Sequence, residues 1–178
     1  STFCVDIPVG CPGYIYGLFT AANLLQSCCK RVLVLAGDTI GRKVNALDRS
    51  SKMVFGDGAT ATLVEIGTNT LTCEMYVDGK GFDKIIIPAG GARLPLSDDT
   101  IKVEEAESGN YRSQENIFMD GMGVFNFVIS KVPKQVRNMC KEADIDLKSI
   151  DLCLFHQANK FIVDYLQRVL KIDPEKVP

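Results

Sequence analysis

One cysteine and the only histidine of the chain stand where short apolar runs end. Cys11 lies in VGCPGYIYG, between an apolar run and a long apolar segment, and His156 follows IDLCLF and opens HQAN. The amino end of a helix carries about half a positive charge, which stabilises a thiolate and makes it a usable nucleophile. A histidine at the carboxyl end of a strand lies where open α/β sheets bind ligands. Each residue alone also fits simple packing. Because each ends a predicted strand at its carboxyl edge, we expect Cys11 and His156 to converge on one pocket.

The elements around Cys11 predict one strand–helix–strand unit. Residues 2–9 are apolar and rich in β-forming residues, which indicates a buried strand. The next segment, PGYIYGLFTAANLLQSCCK, is apolar nearly all round, as expected of a buried helix with Pro12 in its first turn. RVLVLAGD is then a compact apolar strand of the kind found in parallel sheets covered on both faces.

The rest of the chain repeats this alternation of strand and helix. VFGDGATATLVEIG predicts a turn and a strand, and residues 71–79 another strand. Residues 79–99 are loop-rich with a short strand inside, whereas residues 100–116 are polar and predict an exposed excursion. Residues 120–143 have helical spacing, with a kink expected at Pro133. IDLCLF predicts a buried strand, and Asn159 a helix N-cap for KFIVDYLQRVL. The whole pattern predicts an α/β fold.

Composition excludes several classes of function. The net charge is −2 and no basic stripe occurs, which argues against a nucleic-acid partner. No apolar run approaches the roughly 18 residues of a membrane helix, and the start lacks a signal-peptide pattern. The seven cysteines include no CxxC pair, which argues against a zinc site or a disulfide framework and favours the reducing cytoplasm. We expect no metal site.

Four motifs occur in an order and spacing that resemble a known family. VGCPGYIYG, LDRSSKMVFGDGATATLV, MDGMGVFNFV and HQAN together are similar to β-ketoacyl-acyl-carrier-protein synthase III, of the thiolase-like superfamily. The resemblance implies a layered α-β-α-β-α architecture of two similar halves. Residues 1–68 would be the latter part of the N-terminal half, and residues 69–178 the first part of the C-terminal half. It also implies a homodimer.

The resemblance gives the two reactive residues their roles. Cys11 matches the nucleophile that takes an acyl group from acyl-CoA as a thioester, and His156 matches the histidine of a Cys-His-Asn set. That set assists decarboxylation of malonyl-acyl-carrier-protein, whose carbanion then attacks the thioester in the initiation of fatty acid biosynthesis. Coenzyme A thioesters and acyl carrier protein are thus the implied partners, with no permanently bound cofactor.

Further positions match substrate-binding residues of the family. The resemblance assigns Ile40 and Phe55 to the acyl-pocket wall, Phe125 to the channel, Arg49 to coenzyme A and Asn159 to the substrate-binding set. Each of these could instead be an ordinary packing or surface residue.

The chain also departs from the family pattern. Asn126 stands where a lysine often contacts the carrier protein, and Phe161 where an arginine often follows HQAN. The family is about twice as long, and its catalytic asparagine and a glycine-rich loop match no segment here, so we expect an internal fragment that is itself inactive. Two alternatives stay open: a polyketide-type or alkylquinolone-type condensing enzyme, and a non-catalytic thiolase-like binding protein.

Overall fold

The structure, a computed structural model, describes residues 2–178 and divides into two compact units. The first unit contains the chain up to Thr39 together with Asp57–Cys73, and the second contains Ile40–Gly56 and Glu74–Pro178. The division predicted at residues 68 and 69 refers to the halves of the resembling family rather than to compactness, and it stays a prediction.

The first unit is one helix on a two-stranded sheet. Helix α1 spans Gly13–Ser27, strand β1 Arg31–Asp38 and strand β2 Gly58–Glu65. The helix begins at Gly13 with Pro12 as its N-cap, so the proline precedes the first turn instead of lying in it. A Cβ added at Gly17 would lie only 2.8 Å from Val34 Cγ1, which shows why the residue at this helix–sheet contact is a glycine.

Two expectations for this unit were wrong. Strand β1 pairs with β2 in antiparallel register, from Arg31 opposite Glu65 to Asp38 opposite Gly58. The expected cover on both faces of the sheet is missing as well, because Leu33 and Leu35 of β1 are exposed. An apolar run specifies neither the direction of the partner strand nor what covers the sheet, which explains this error. Helix α1 is also not buried all round. Its buried residues form one face, and the sheet covers that face only; they are Gly17, Ala21 and Leu25.

Three predicted strands are not formed. The described backbone has no strand over residues 2–9, 71–79 or 150–155, so the predicted strand–helix–strand unit is absent too. In the last of these segments the Cys153 N–H donates to the Lys176 carbonyl at 2.8 Å, outside any strand pairing. A strand exists only where a neighbour accepts and donates its backbone hydrogen bonds, and the apolar pattern does not specify that neighbour.

The two long helices of the second unit confirm the sequence pattern. Before them comes a short helix, α2, at Arg49–Lys52, and then helix α3 spans Gly121–Glu142 and helix α4 Lys160–Leu170. Helix α3 continues through Pro133 without interruption. Helices α3 and α4 pack against each other, and the buried side chains around α4 are Ile162, Leu166, Leu170 and Ile172.

Short antiparallel pairs connect the segments between α2 and α3. Strand β3 (Ile85–Ile86) pairs with β6 (Phe118–Met119), and β4 (Glu104–Glu105) pairs with β5 (Tyr111–Arg112). The short strand predicted within residues 79–99 is therefore present as β3. The excursion predicted over residues 100–116 is only partly exposed, because the side chains of Thr100 and Ser113 are buried and hydrogen-bonded.

Candidate active site

Cys11 lies at the amino end of α1, directly before the N-cap residue Pro12. The turn before the helix is closed by a hydrogen bond from the Gly13 N–H to the Gly10 carbonyl, at 2.7 Å, and the Tyr16 N–H donates to the Pro12 carbonyl at 3.1 Å. Cys11 is exposed there. The first N–H groups of a helix have no carbonyl partner within the helix, so this position suits a group that carries negative charge.

A cleft of about 500 Å³ opens beside Cys11 within the first unit. Its walls include residues 5–11, one side of α1 from Gly13 to Leu24, and β1 from Val32 to Asp38. Tyr14 also lines it, and its hydroxyl shares a hydrogen bond of 3.2 Å with the Thr62 hydroxyl. Sequence reasoning did not single out Tyr14. Its place three residues after Cys11, in the first turn of α1, was the available signal.

His156 lies in an irregular segment just before α4. Its side chain is exposed, and its carbonyl accepts a hydrogen bond from the Ala158 N–H at 3.0 Å. The predicted strand before it is absent, but the predicted helix start after it is confirmed. Asn159 Oδ1 accepts from the Ile162 N–H at 2.9 Å, as an N-cap does. This capping bond accounts for Asn159 structurally, and its place in the substrate-binding set stays a prediction.

The aromatic ring of Phe125 on α3 contacts two aromatic rings of α4. The ring centroids of Phe125 and Phe161 are 5.4 Å apart, and those of Phe125 and Tyr165 are 6.0 Å apart in an edge-on arrangement. Such pairs stabilise packed helices beyond the area that they bury. The sequence drew attention to Phe125 and Phe161 for separate reasons, and the fold joins them in one cluster.

The remaining residues predicted to bind substrate all lie within Ile40–Gly56 of the second unit. Arg49 is the exposed first residue of α2, whereas Ile40 and Phe55 are half-buried. The Arg49 N–H donates to Asn110 Oδ1 at 3.0 Å, and the Phe55 N–H donates to the Ser51 carbonyl at 3.3 Å. The backbone that presents Arg49 is thus fixed from outside the helix.

Asp48, which precedes Arg49, is a buried carboxylate that sequence reasoning missed. Its Oδ1 accepts from the Ser50 N–H at 2.9 Å and caps α2, and its Oδ2 lies 3.5 Å from Arg112 Nη1. Burial alone would raise the pKa of Asp48, but the hydrogen bonds from Ser50 and the charge of Arg112 outweigh it and hold the pKa below its ordinary value. The same guanidinium binds Glu107 at 2.8 Å.

Replacing Asp48 separates its capping role from its charge. We expect Asp48→Ala to lower the free energy of unfolding by about 1–3 kcal/mol, because both the cap and the partner of Arg112 are lost. Asp48→Asn keeps a good capping group and should cost less. Urea unfolding at neutral pH measures both, with Asp99→Ala at an exposed ion pair as the control that changes little.

The pH dependence tests the charge. A carboxylate whose folded pKa is depressed stabilises the fold above its unfolded pKa, and this stabilisation is lost as the pH falls through the folded pKa. The gap between the wild type and Asp48→Asn should therefore shrink in acid. A gap that stays constant down to acid unfolding would show that the carboxylate charge contributes nothing.

Residues 2–178 contain neither a candidate membrane-spanning helix nor a candidate metal site. No helix in this range is long and apolar enough to cross a membrane. The same range contains no group of three or more histidine, cysteine, aspartate or glutamate side chains placed to hold a metal ion.

Comparison with known proteins finds similarity to one group of enzymes. The family model of 3-oxoacyl-[acyl-carrier-protein] synthase III matches residues 5–79. A Campylobacter jejuni relative, provisionally named 3-oxoacyl-[acyl-carrier-protein] synthase 3, is 36% identical over all of the chain and 51% of its own length. The β-ketoacyl-[acyl-carrier-protein] synthase III of Caldanaerobacter subterraneus is 33% identical over 97% of the chain and 50% of its own length.

A solved structure extends the comparison to the fold. A crystal structure of a 3-oxoacyl-(acyl-carrier-protein) synthase III superposes with a TM-score of 0.91 at 36% identity, over 98% of the chain and 53% of the solved one. This likeness confirms the predicted α/β fold of the thiolase-like type. The chain spans about half the length of the curated relatives that it matches. Over this half length, the chain is similar to synthases named 3-oxoacyl-[acyl-carrier-protein] synthase III.

Proposed function

We propose that the chain carries the nucleophile and the histidine of a condensing acyltransferase of the 3-oxoacyl-[acyl-carrier-protein] synthase III type. The observation that supports this most is the similarity to such a synthase along 98% of the chain, at 36% identity and a TM-score of 0.91. The position of Cys11 at the amino end of α1 is the physical reason to assign it the nucleophilic step.

The proposed reaction has two stages. The Cys11 thiolate attacks the carbonyl carbon of an acyl-CoA, the bond from that carbon to the coenzyme A sulfur breaks, and the acyl group stays on Cys11. Malonyl-acyl-carrier-protein then loses carbon dioxide, and its carbanion attacks the thioester and releases Cys11 with the elongated β-ketoacyl product. Covalent catalysis of this kind replaces one difficult step with two easier ones.

His156 acts in the second stage of this proposal. An imidazole N–H can donate to the enolate oxygen that develops as carbon dioxide leaves, and the main-chain N–H of Cys11 can serve the oxyanion of the acyl transfer. Reacting groups must lie within a few ångströms of each other, so the proposal requires Cys11 and His156 to meet at one centre.

Five side chains of the second unit complete the proposed substrate site. Arg49 binds the coenzyme A phosphates. The exposed side chain of Arg49 supports this role. The hydrogen bond from its N–H to Asn110 supports it as well, because a fixed main chain limits the positions that the guanidinium can occupy. Ile40 and Phe55 form the acyl-pocket wall, Phe125 the channel, and Asn159 belongs to the same set.

At two positions this chain lacks a charge that the family it resembles often uses to contact the carrier protein. Asn126 and Phe161 supply no positive charge at two positions where the family often has one. Lys160 is adjacent, but its Nζ is held by Asp164 at 2.8 Å on the exposed face of α4. We therefore propose an acyl carrier protein as partner, bound with fewer ionic contacts.

The intact protein is proposed to work in the cytoplasm as a homodimer, as the resemblance implies. Light scattering of the intact protein at micromolar concentration should give twice the mass of one chain. A monomer under these conditions would refute the dimer.

Selective acylation tests the nucleophile on the chain itself. We expect a thiol-reactive acyl mimic to modify Cys11 faster than the other six cysteines, because only Cys11 lies at a helix amino end. Peptide mapping by mass spectrometry measures the rate at each site. Cys4 is the matched control, since it is also exposed but is not at a helix end. Equal rates at Cys4 and Cys11 would favour the non-catalytic binding protein.

Decarboxylation of malonyl-acyl-carrier-protein tests the second stage. We expect no turnover by the 178-residue chain alone, because no matched motif supplies the family's catalytic asparagine or glycine-loop donor. The loss of a single oxyanion donor already costs about 10²–10³ in rate. The intact protein should turn over, and its Cys11→Ala variant should not form condensed product. Comparable turnover by the chain and by the intact protein would show that our assignment of the catalytic set is wrong.

A further inference from the structure

Two adjacent cysteines, Cys28 and Cys29, end helix α1. Cys28 is its C-cap residue, and the backbone N–H groups of both cysteines donate to the Leu24 carbonyl, each at 2.9 Å. Their sulfur atoms lie 3.7 Å apart, within hydrogen-bonding distance for sulfur. Cys28 is exposed and Cys29 half-buried, so solvent reaches the pair.

The turn at the helix end is what brings the two sulfurs together. Successive side chains of an extended strand point to opposite faces, which would separate them. Here the shared bonds to the Leu24 carbonyl hold both residues in one turn, and the Ser27 hydroxyl donates to the Cys28 sulfur at 3.6 Å. The pair is also remote from Cys11, because the 15 residues of α1 between them correspond to about 22 Å along the helix axis.

We propose that Cys28 and Cys29 form a vicinal dithiol site that chelates trivalent arsenicals of the arsenoxide class. In the binding step the arsenic–oxygen double bond breaks and two arsenic–sulfur bonds form. The oxygen leaves as water with both thiol protons. Arsenic stays trivalent throughout, so the step needs no oxidant or reductant. This site is independent of the condensing chemistry proposed for Cys11.

The geometry favours a ligand that binds both sulfurs over a ligand that binds a single thiol. Trivalent arsenic is thiophilic, so it binds soft sulfur donors. Once one arsenic–sulfur bond has formed, the second sulfur is already close, so the second bond is intramolecular and forms at a high effective concentration. The hydrogen bond with Cys28, aided by burial, raises the pKa of the Cys29 thiol. A protonated thiol is a slow target for simple alkylation, but it supplies the proton that the departing oxygen requires.

A second pair of cysteines is the natural competitor within the chain. Cys140 lies near enough to Cys153 to add to the effect of burial, and together they raise the pKa of the Cys153 thiol. Cys140 is buried, however, whereas Cys28 is exposed. An arsenoxide therefore reaches the pair at the end of α1 first.

The test is chelation of phenylarsine oxide by the 178-residue chain. One equivalent should give an intact-mass adduct equal to the arsenoxide less one water, and peptide mapping should place it on the segment that contains residues 28 and 29. The adduct should persist in excess monothiol, such as 2-mercaptoethanol, and be removed by the dithiol 2,3-dimercaptopropanol. Mapping of the unmodified sequence does not depend on any variant folding correctly.

Single substitutions establish that both sulfurs are needed. Cys28→Ser and Cys29→Ser should each weaken retention of the arsenical on the order of 10²–10⁴-fold, because the intramolecular second bond is lost. Cys153→Ser and Cys4→Ser are matched controls and should retain the adduct. An adduct mapped to Cys140 and Cys153, or full retention in either Cys28→Ser or Cys29→Ser, would overturn the proposal.

Discussion

The buried carboxylate of Asp48 lies where segments far apart in the sequence of the second unit meet. It caps α2, it pairs with Arg112 of β5, and the guanidinium of Arg112 lies 4.7 Å over the ring of Phe118 of β6. A buried charge is costly unless it is paired and hydrogen-bonded, so these contacts are obligatory rather than incidental. Two backbone hydrogen bonds join the same segments. The Tyr111 N–H donates to the Leu47 carbonyl, and the Ile117 N–H donates to the Lys43 carbonyl.

Helix starts position most of the residues proposed to act on substrate. Cys11 precedes α1, Arg49 opens α2, and His156 lies a few residues before the cap of α4. A helix start fixes the backbone through capping bonds and also presents unpaired N–H groups, so it both holds and polarises the groups beside it. The same device therefore serves stability and chemistry, and loss of a cap should disturb both.

The cysteines show that chemistry follows position more than residue type. Cys11 is exposed at the amino end of a helix, Cys28 and Cys29 share the opposite end of that helix, and Cys140 is buried in the second unit. A helix amino end favours the thiolate, whereas the sulfur pair at the carboxyl end keeps the proton on Cys29. One helix thus separates two thiol environments by its length and its dipole.

The sequence by itself determined helices α1, α3 and α4, the first residue of α4 and the four motifs that resemble 3-oxoacyl-[acyl-carrier-protein] synthase III. Helical hydrogen bonds join residues four positions apart, so α1, α3 and α4 and the cap at Asn159 are encoded locally. Only the tertiary structure decided that β1 and β2 are antiparallel, that residues 2–9 and 150–155 form no strand, and that Phe125 contacts Phe161. The same holds for the pairing of Asp48 with Arg112. Each of these outcomes depends on residues that lie far along the chain. A local pattern indicates whether a residue tends to be buried or to form a strand, but it does not specify which residue it contacts.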